Sequence, residues 1–152
     1  MDAAQCAVFQ GIVYYYRENQ VLCRYQASLR DPVDPVLLQE ALDAARPLAE
    51  YYFCRVVWEK REAHLEPNDA PCRVRQGSVQ PRIPEETEDY LFSLGWEGDT
   101  IYLDWFHFLA DGRGGSPFFT LLLSLYCNLK YDAGFACGVL ASDPPYDVEE
   151  LL

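Results

Sequence analysis

Apolar and polar residues alternate over residues 21–29, with Val21, Cys23, Tyr25, Ala27 and Leu29 on one side, which predicts a strand with one buried face. Residues 10–16 read as an earlier strand, joined to it across Arg17-Glu18-Asn19-Gln20, and Asp31-Pro32 breaks the run. The period then lengthens. Leu38, Leu42 and Ala45, with Ala41 beside them, recur at helical spacing behind Asp34, a capping residue type, and Pro35, whose missing N–H costs little at a first helical position. Pro47 ends that helix. Residues 51–59 are β-branched and aromatic and predict a strand, with 62–66 returning beside it across Lys60-Arg61. Residues 66–84 contain Pro67, Pro71, Pro81 and Pro84, and predict a long excursion with at most a short strand near 73–75.

Residues 85–92 are acidic and fit either a short helix or the lead into a strand, and Trp96-Glu97-Gly98-Asp99 reads as a turn. The clearest strand is 100–109. Ile101, Leu103, Trp105, His107 and Leu109 face one way; Tyr102, Asp104, Phe106 and Phe108 face the other. Both sides are largely apolar, which predicts a central position in the sheet. Ser116 and Pro117 supply a cap and first residue for a second helix, with Phe118, Leu121, Leu122 and Leu125 as its buried stripe. From Asn128 the pattern fades. The fold class expected is α/β, or α+β in looser terms: a mixed sheet with helices packed on one face. Residues 1–135 read as one domain and 136–152 as a linker or acidic tail, through Asp143-Pro144-Pro145-Tyr146-Asp147.

The 152 residues are enough for one domain that buries about 70% of its unfolded surface. A formal charge of −12 argues against nucleic acid or an anionic membrane surface as partner. No apolar run approaches the roughly 20 residues needed to span a bilayer, and Met1-Asp2-Ala3-Ala4-Gln5 lacks the basic start of a signal peptide, so a cytoplasmic location is expected. Cys6, Cys23, Cys54, Cys72, Cys127 and Cys137 include no Cys-x-x-Cys pair and read as reduced structural thiols, with no metal site.

The candidate chemistry lies where the central strand meets the glycine-rich turn. His107 is one of two histidines in the chain, and imidazole is the side chain best suited to move protons near neutral pH. On a strand end it is held by rigid backbone beside a turn with room for a ligand. Asp111 is placed to accept from the imidazole or to brace the turn, and Gly112 permits a close approach. The structural alternative is a core histidine followed by an ordinary Asp-Gly turn. Gly112-x-Gly114-Gly115 superficially resembles a phosphate loop but lacks the spacing of a dinucleotide fingerprint and the Lys-Ser/Thr of a triphosphate loop. Ser116 is not in a Gly-x-Ser-x-Gly elbow. Glu85, Glu86, Glu88 and Asp89 read as a solvated face, and His64, beside Glu62 and Glu66, as an exposed edge-strand residue.

His107-x-x-x-Asp111-Gly112 resembles the HHxxxDG signature of the chloramphenicol acetyltransferase-like, coenzyme-A-dependent acyltransferases, a superfamily that includes alcohol acetyltransferases and the condensation domains of peptide synthetases. The resemblance covers roughly residues 9–130 and extends to the order of strands and helices around the motif. It implies acyl transfer from a thioester, acyl-CoA or carrier-bound, to a hydroxyl or amine acceptor, with no tightly bound cofactor. His107 would be the general base, and Asp111 and Gly112 would shape the site. There are two departures: Phe106 stands where the signature has its first histidine, and the chain resembles only the N-terminal half of its relatives, without their Asp-Phe-Gly-Trp-Gly-like segment. The resemblance therefore implies a missing C-terminal half or a homo-oligomer as partner. An enzyme is the leading expectation, active only as part of a longer or assembled protein. The alternative is a non-catalytic binding or assembly module that keeps the scaffold without its second half.

Overall fold

The computed structural model describes residues 22–59, 62–106 and 112–140. Strand β1 (Leu22–Ser28) leads to helix α1 (Pro35–Ala45) and to a hairpin of β2 (Cys54–Glu59) and β3 (Glu62–Pro67). A short β4 (Arg75–Gln76), the hairpin β5 (Phe92–Glu97) and β6 (Thr100–Phe106), and a long helix α2 (Gly112–Tyr131) follow. The strand expected at 10–16 lies outside the described residues. The main sheet runs β1-β6-β5-β4. Its β4–β5 pair is parallel and the others antiparallel, so the sheet is mixed, as the sequence predicts. β2 and β3 form a separate two-stranded sheet.

β6 is central, flanked by β1 from Leu22↔Phe106 to Ser28↔Thr100 and by β5 from Phe92↔Trp105 to Glu97↔Thr100. Its alternation sorts the sheet into two faces. Ile101, Leu103 and Trp105 stand beside Cys23, Tyr25 and Ala27 on one side and beside Phe92, Leu94 and Trp96 on the other, and the helices cover this face. Leu38, Ala41, Leu42 and Ala45 of α1 and Phe118, Leu121, Leu122 and Tyr126 of α2 are buried there. Tyr25 stacks on Phe119 at 5.9 Å, and Phe92 meets Phe118 edge-on at 5.1 Å. The opposite face carries Arg24, Asp104, Tyr102 and Ser93.

Helix α1 is built as its sequence predicts. Asp34 accepts from the backbone N–H of Val36 at 3.0 Å and of Leu37 at 3.2 Å, and Pro35 takes the first position. The turn between β5 and β6 is tighter than expected, because pairing continues through Trp96 and Glu97 and leaves Gly98 and Asp99 to make it. Gly98 has φ 58, a left-handed angle suited to a hairpin turn. The excursion at 73–75 yields a strand at Arg75–Gln76, and the undecided acidic segment is a series of turns before β5.

Three expectations are corrected. The strand expected from Tyr51 starts only at Cys54, and Glu50–Tyr52 form a 3₁₀ turn. Consecutive residues of a strand point to opposite faces, whereas Tyr52 and Phe53 are both buried. Tyr52 stacks on Phe118 at 4.1 Å and Phe53 meets Phe92 edge-on at 5.2 Å, and the turn brings both rings to the same core. Second, α2 begins at Gly112, ahead of Ser116, with Pro117 inside it. Proline there forfeits one intrahelical bond, a loss offset by close packing of the first turn on β6. Third, Tyr126 is fully buried, while Leu125, expected in the stripe, is partly buried. The Tyr126 hydroxyl accepts from the Asp34 N–H at 2.9 Å and ties the end of α2 to the start of α1.

Beyond α2, the Asn128 amide accepts from the N–H of Phe135 at 2.7 Å and donates to its carbonyl at 2.9 Å. The Leu140 N–H then donates to Leu48 O at 2.7 Å, and Cys137 and Leu140 pack on the core. Residues 141–152, most of the expected acidic tail, lie outside the described residues.

Candidate active site

The end of β6 is held from three directions. Phe106 pairs with Leu22 on one side, its N–H donates to Leu91 O at 3.1 Å on the other, and its ring is fully buried. The third hold comes from α2. An added Cβ on Gly115 would lie 2.5 Å from Cζ2 of Trp105 and 2.9 Å from Cη2, so only glycine lets the helix backbone rest on that indole. This close approach is the physical use of Gly115. Residues 107–111 join these two fixed ends. His107 and Asp111 lie outside the described residues; Gly112 opens α2.

The polar face of the sheet holds an arrangement that the sequence reading missed. Asp104 is buried, at 2% exposure. It receives Arg24 through a two-pronged contact, Nε to Oδ1 at 2.7 Å and Nη2 to Oδ2 at 3.0 Å, and Gln80 donates to Oδ1 at 3.0 Å. Arg24 also donates from Nη1 to Ser78 O at 2.7 Å and lies over the Tyr102 ring at 4.5 Å. The bond to Asp104 raises the Arg24 pKa above the ordinary arginine value, with burial opposing it. The available signal was an aspartate inside a strand buried on both faces, where an ionised carboxylate requires a paired cation.

Other polar groupings serve the framework. Arg46 reaches across to the Tyr90 hydroxyl at 2.9 Å and to the Asn68 carbonyl, and its guanidinium lies 5.4 Å from the Phe53 ring centre. The Asn68 amide donates to Glu88 O and accepts from the Ala70 N–H, both at 2.9 Å. The acidic segment is exposed as expected, with Glu86 accepting from the Arg82 N–H at 2.8 Å. Among the described residues, no three histidine, cysteine or acidic side chains form a grouping able to hold a metal ion. His64 is partly buried, not exposed, because it bonds Glu66 across 2.9 Å. The five described cysteines are free, and burial pushes Cys72 up to about 12. Surface hollows of about 400 Å³ beside Asn68, Asp69 and Asp89 and of about 190 Å³ beside Cys72 and Ser93 are lined by neither Phe106 nor Gly115. No described helix is long and apolar enough to cross a membrane.

No family profile and no curated protein sequence matches the chain. Solved structures do. Polyketide synthase associated protein 5 from Mycobacterium tuberculosis superposes with a TM-score of 0.66 at 17% identity, over 93% of this chain and 36% of its own. The starter condensation domain of rhizomide synthetase gives 0.65 at 13%, over 90% and 40%. The first condensation domain of the calcium-dependent antibiotic synthetase, in complex with a substrate analogue, gives 0.61 at 18%, over 93% and 39%. At these identities the likeness is one of fold. The chain therefore has an α/β fold shared with condensation domains, and it spans about two-fifths of the length of the chains it matches.

Proposed function

We propose that this chain supplies the general base for acyl transfer from a thioester, acyl-CoA or carrier-bound, to a hydroxyl or amine acceptor. The observation that carries the proposal is the match to condensation domains over nearly the whole chain, together with a His-x-x-x-Asp-Gly run between the central strand and the helix packed on it. In this reading His107 takes the acceptor proton as the acceptor attacks the thioester carbonyl, and returns it to the departing thiolate. Asp111 and Gly112 shape the connection. Phe106 takes no part in proton transfer; its buried ring fills the core under the strand end. The test is release of free thiol from an acyl thioester in the presence of alcohols or amines. Replacing His107 with alanine should lower turnover by about 10²–10⁴-fold, the range of a lost general base, with the circular dichroism spectrum unchanged. Equal turnover in the variant and the wild type would refute it.

A second reading, an assembly module without turnover, is favoured by the short span and by apolar side chains left in solvent. Leu129, Tyr131, Phe135 and Val139 are 44%, 45%, 56% and 77% exposed. Self-association by light scattering, with no thiol release, supports this reading; a clean monomer at high concentration opposes it.

A further inference from the structure

The Asp104–Arg24 pair is more than a link between two strands. Each member holds one point of the segment that crosses the polar face of the sheet: Arg24 holds Ser78 O, and Asp104 holds the Gln80 amide. Between those points Val79 stands 86% exposed, while the flanks of the segment are held by the Gly77 N–H, which donates to Trp96 O at 2.8 Å, and by the buried Pro81. Asp104 lies on β6, whose last residue, Phe106, precedes His107 in the chain, and its neighbour Trp105 is the residue on which α2 rests. A buried ion pair adds little stability over apolar residues of the same volume. What it supplies is directional: three donors converge on one carboxylate and fix β1, β6 and residues 78–80 relative to one another.

We infer that Arg24, Asp104 and Gln80 are positioning residues that lock the 78–80 segment to β6 and so fix the strand end that precedes His107 in the chain. This rests on the reading of His107 as the general base. No member of the trio is assigned contact with substrate. A misplacement of about 1 Å is enough to cost about 10²-fold in rate, so a positioning role has a large kinetic reach.

The decisive variant replaces the pair by apolar residues of similar size, Arg24→Met with Asp104→Leu. A purely structural role predicts that this protein folds and turns over as the wild type does. Positioning predicts a melting temperature within a few degrees of wild type, a kcat lowered about 10-fold or more with the thioester KM little changed, and faster backbone hydrogen exchange in peptides covering 77–83 and 104–112. Arg24→Lys, which keeps one charge and cannot hold Asp104 as a fork while reaching Ser78, should fall between the two. Should the double variant fail to fold, Gln80→Leu decides. Gln80 is exposed, and losing its one bond should speed exchange over 77–83 and lower kcat without moving the melting temperature. Wild-type exchange and wild-type kcat in a folded variant would overturn the inference. His107→Ala, run alongside, separates the two levels. If it turns over like the wild type, the base assignment falls, while hydrogen exchange still reports whether the trio holds the strand end.

Discussion

Replacing Gly115 with alanine should destabilise the fold, although alanine is the better helix former. The new methyl carbon would sit 2.5 Å from Cζ2, 2.9 Å from Cη2 and 3.0 Å from Cε2 of Trp105. The indole is rigid and 3% exposed, with the Tyr25 ring centred 5.1 Å away and Phe92 opposite it in the sheet register, so it has no direction in which to retreat. Overpacking of this kind costs about 1–3 kcal/mol, and contact with a rigid ring belongs at the upper end. Alanine recovers about 1 kcal/mol of helix propensity. The net loss is about 2 kcal/mol, a fall in Tm of about 4–8 °C for a chain of this size. Thermal and urea unfolding followed by circular dichroism would measure it. Gly138→Ala is the control: its added Cβ meets nothing within 4 Å, and stability should be unchanged. Making the same change at Gly115 in a Trp105→Phe background, where the outer ring is gone, should cost less than in the wild type. A Gly115→Ala protein as stable as its parent would refute the reasoning. Because Gly115 and Trp105 sit at the two attachments of residues 107–111, any turnover should fall with the stability.

Three further outcomes follow from the same structure. Asp34→Ala removes the acceptor for the Val36 and Leu37 N–H groups and should cost about 1 kcal/mol in thermal melts, while Asp34→Asn should recover most of it. Burial holds Cys72 near 12 in the fold against an ordinary 9.0, so the unfolded chain loses that proton first. This contribution to stability is therefore complete below pH 9 and declines as the pH rises toward 12. Cys72 should also resist alkylation at pH 8 until the protein is unfolded, and mass spectrometry of labelled peptides would show this.

The parts of the fold that were legible in the sequence are those whose causes lie close together in the chain. Asp34 caps residues two and three positions on, and the apolar period of α1 is complete within one helix. Gly98 turns a hairpin whose two strands adjoin it. The corrections have distant causes. The turn at Glu50–Tyr52 exists because Phe118 receives Tyr52, and α2 starts early because its backbone can lie against Trp105. The Arg24, Asp104 and Gln80 trio was not legible. Asp104 draws its partners from β1 and from an irregular segment, and no local spacing encodes that meeting.

The pairing of β1 with β6 also dictates a timetable. Leu22 bonds alongside Phe106, so during synthesis the first described strand must wait for some eighty residues before its partner exists. At about 5–20 residues per second that delay is about 4–16 s. The β5–β6 hairpin and α2, contiguous in the chain, can associate as soon as they emerge, whereas β1 must be captured by an already formed edge. Throughout that interval Cys23, Tyr25 and Ala27 lack the cover that β6 and α2 give them in the finished fold.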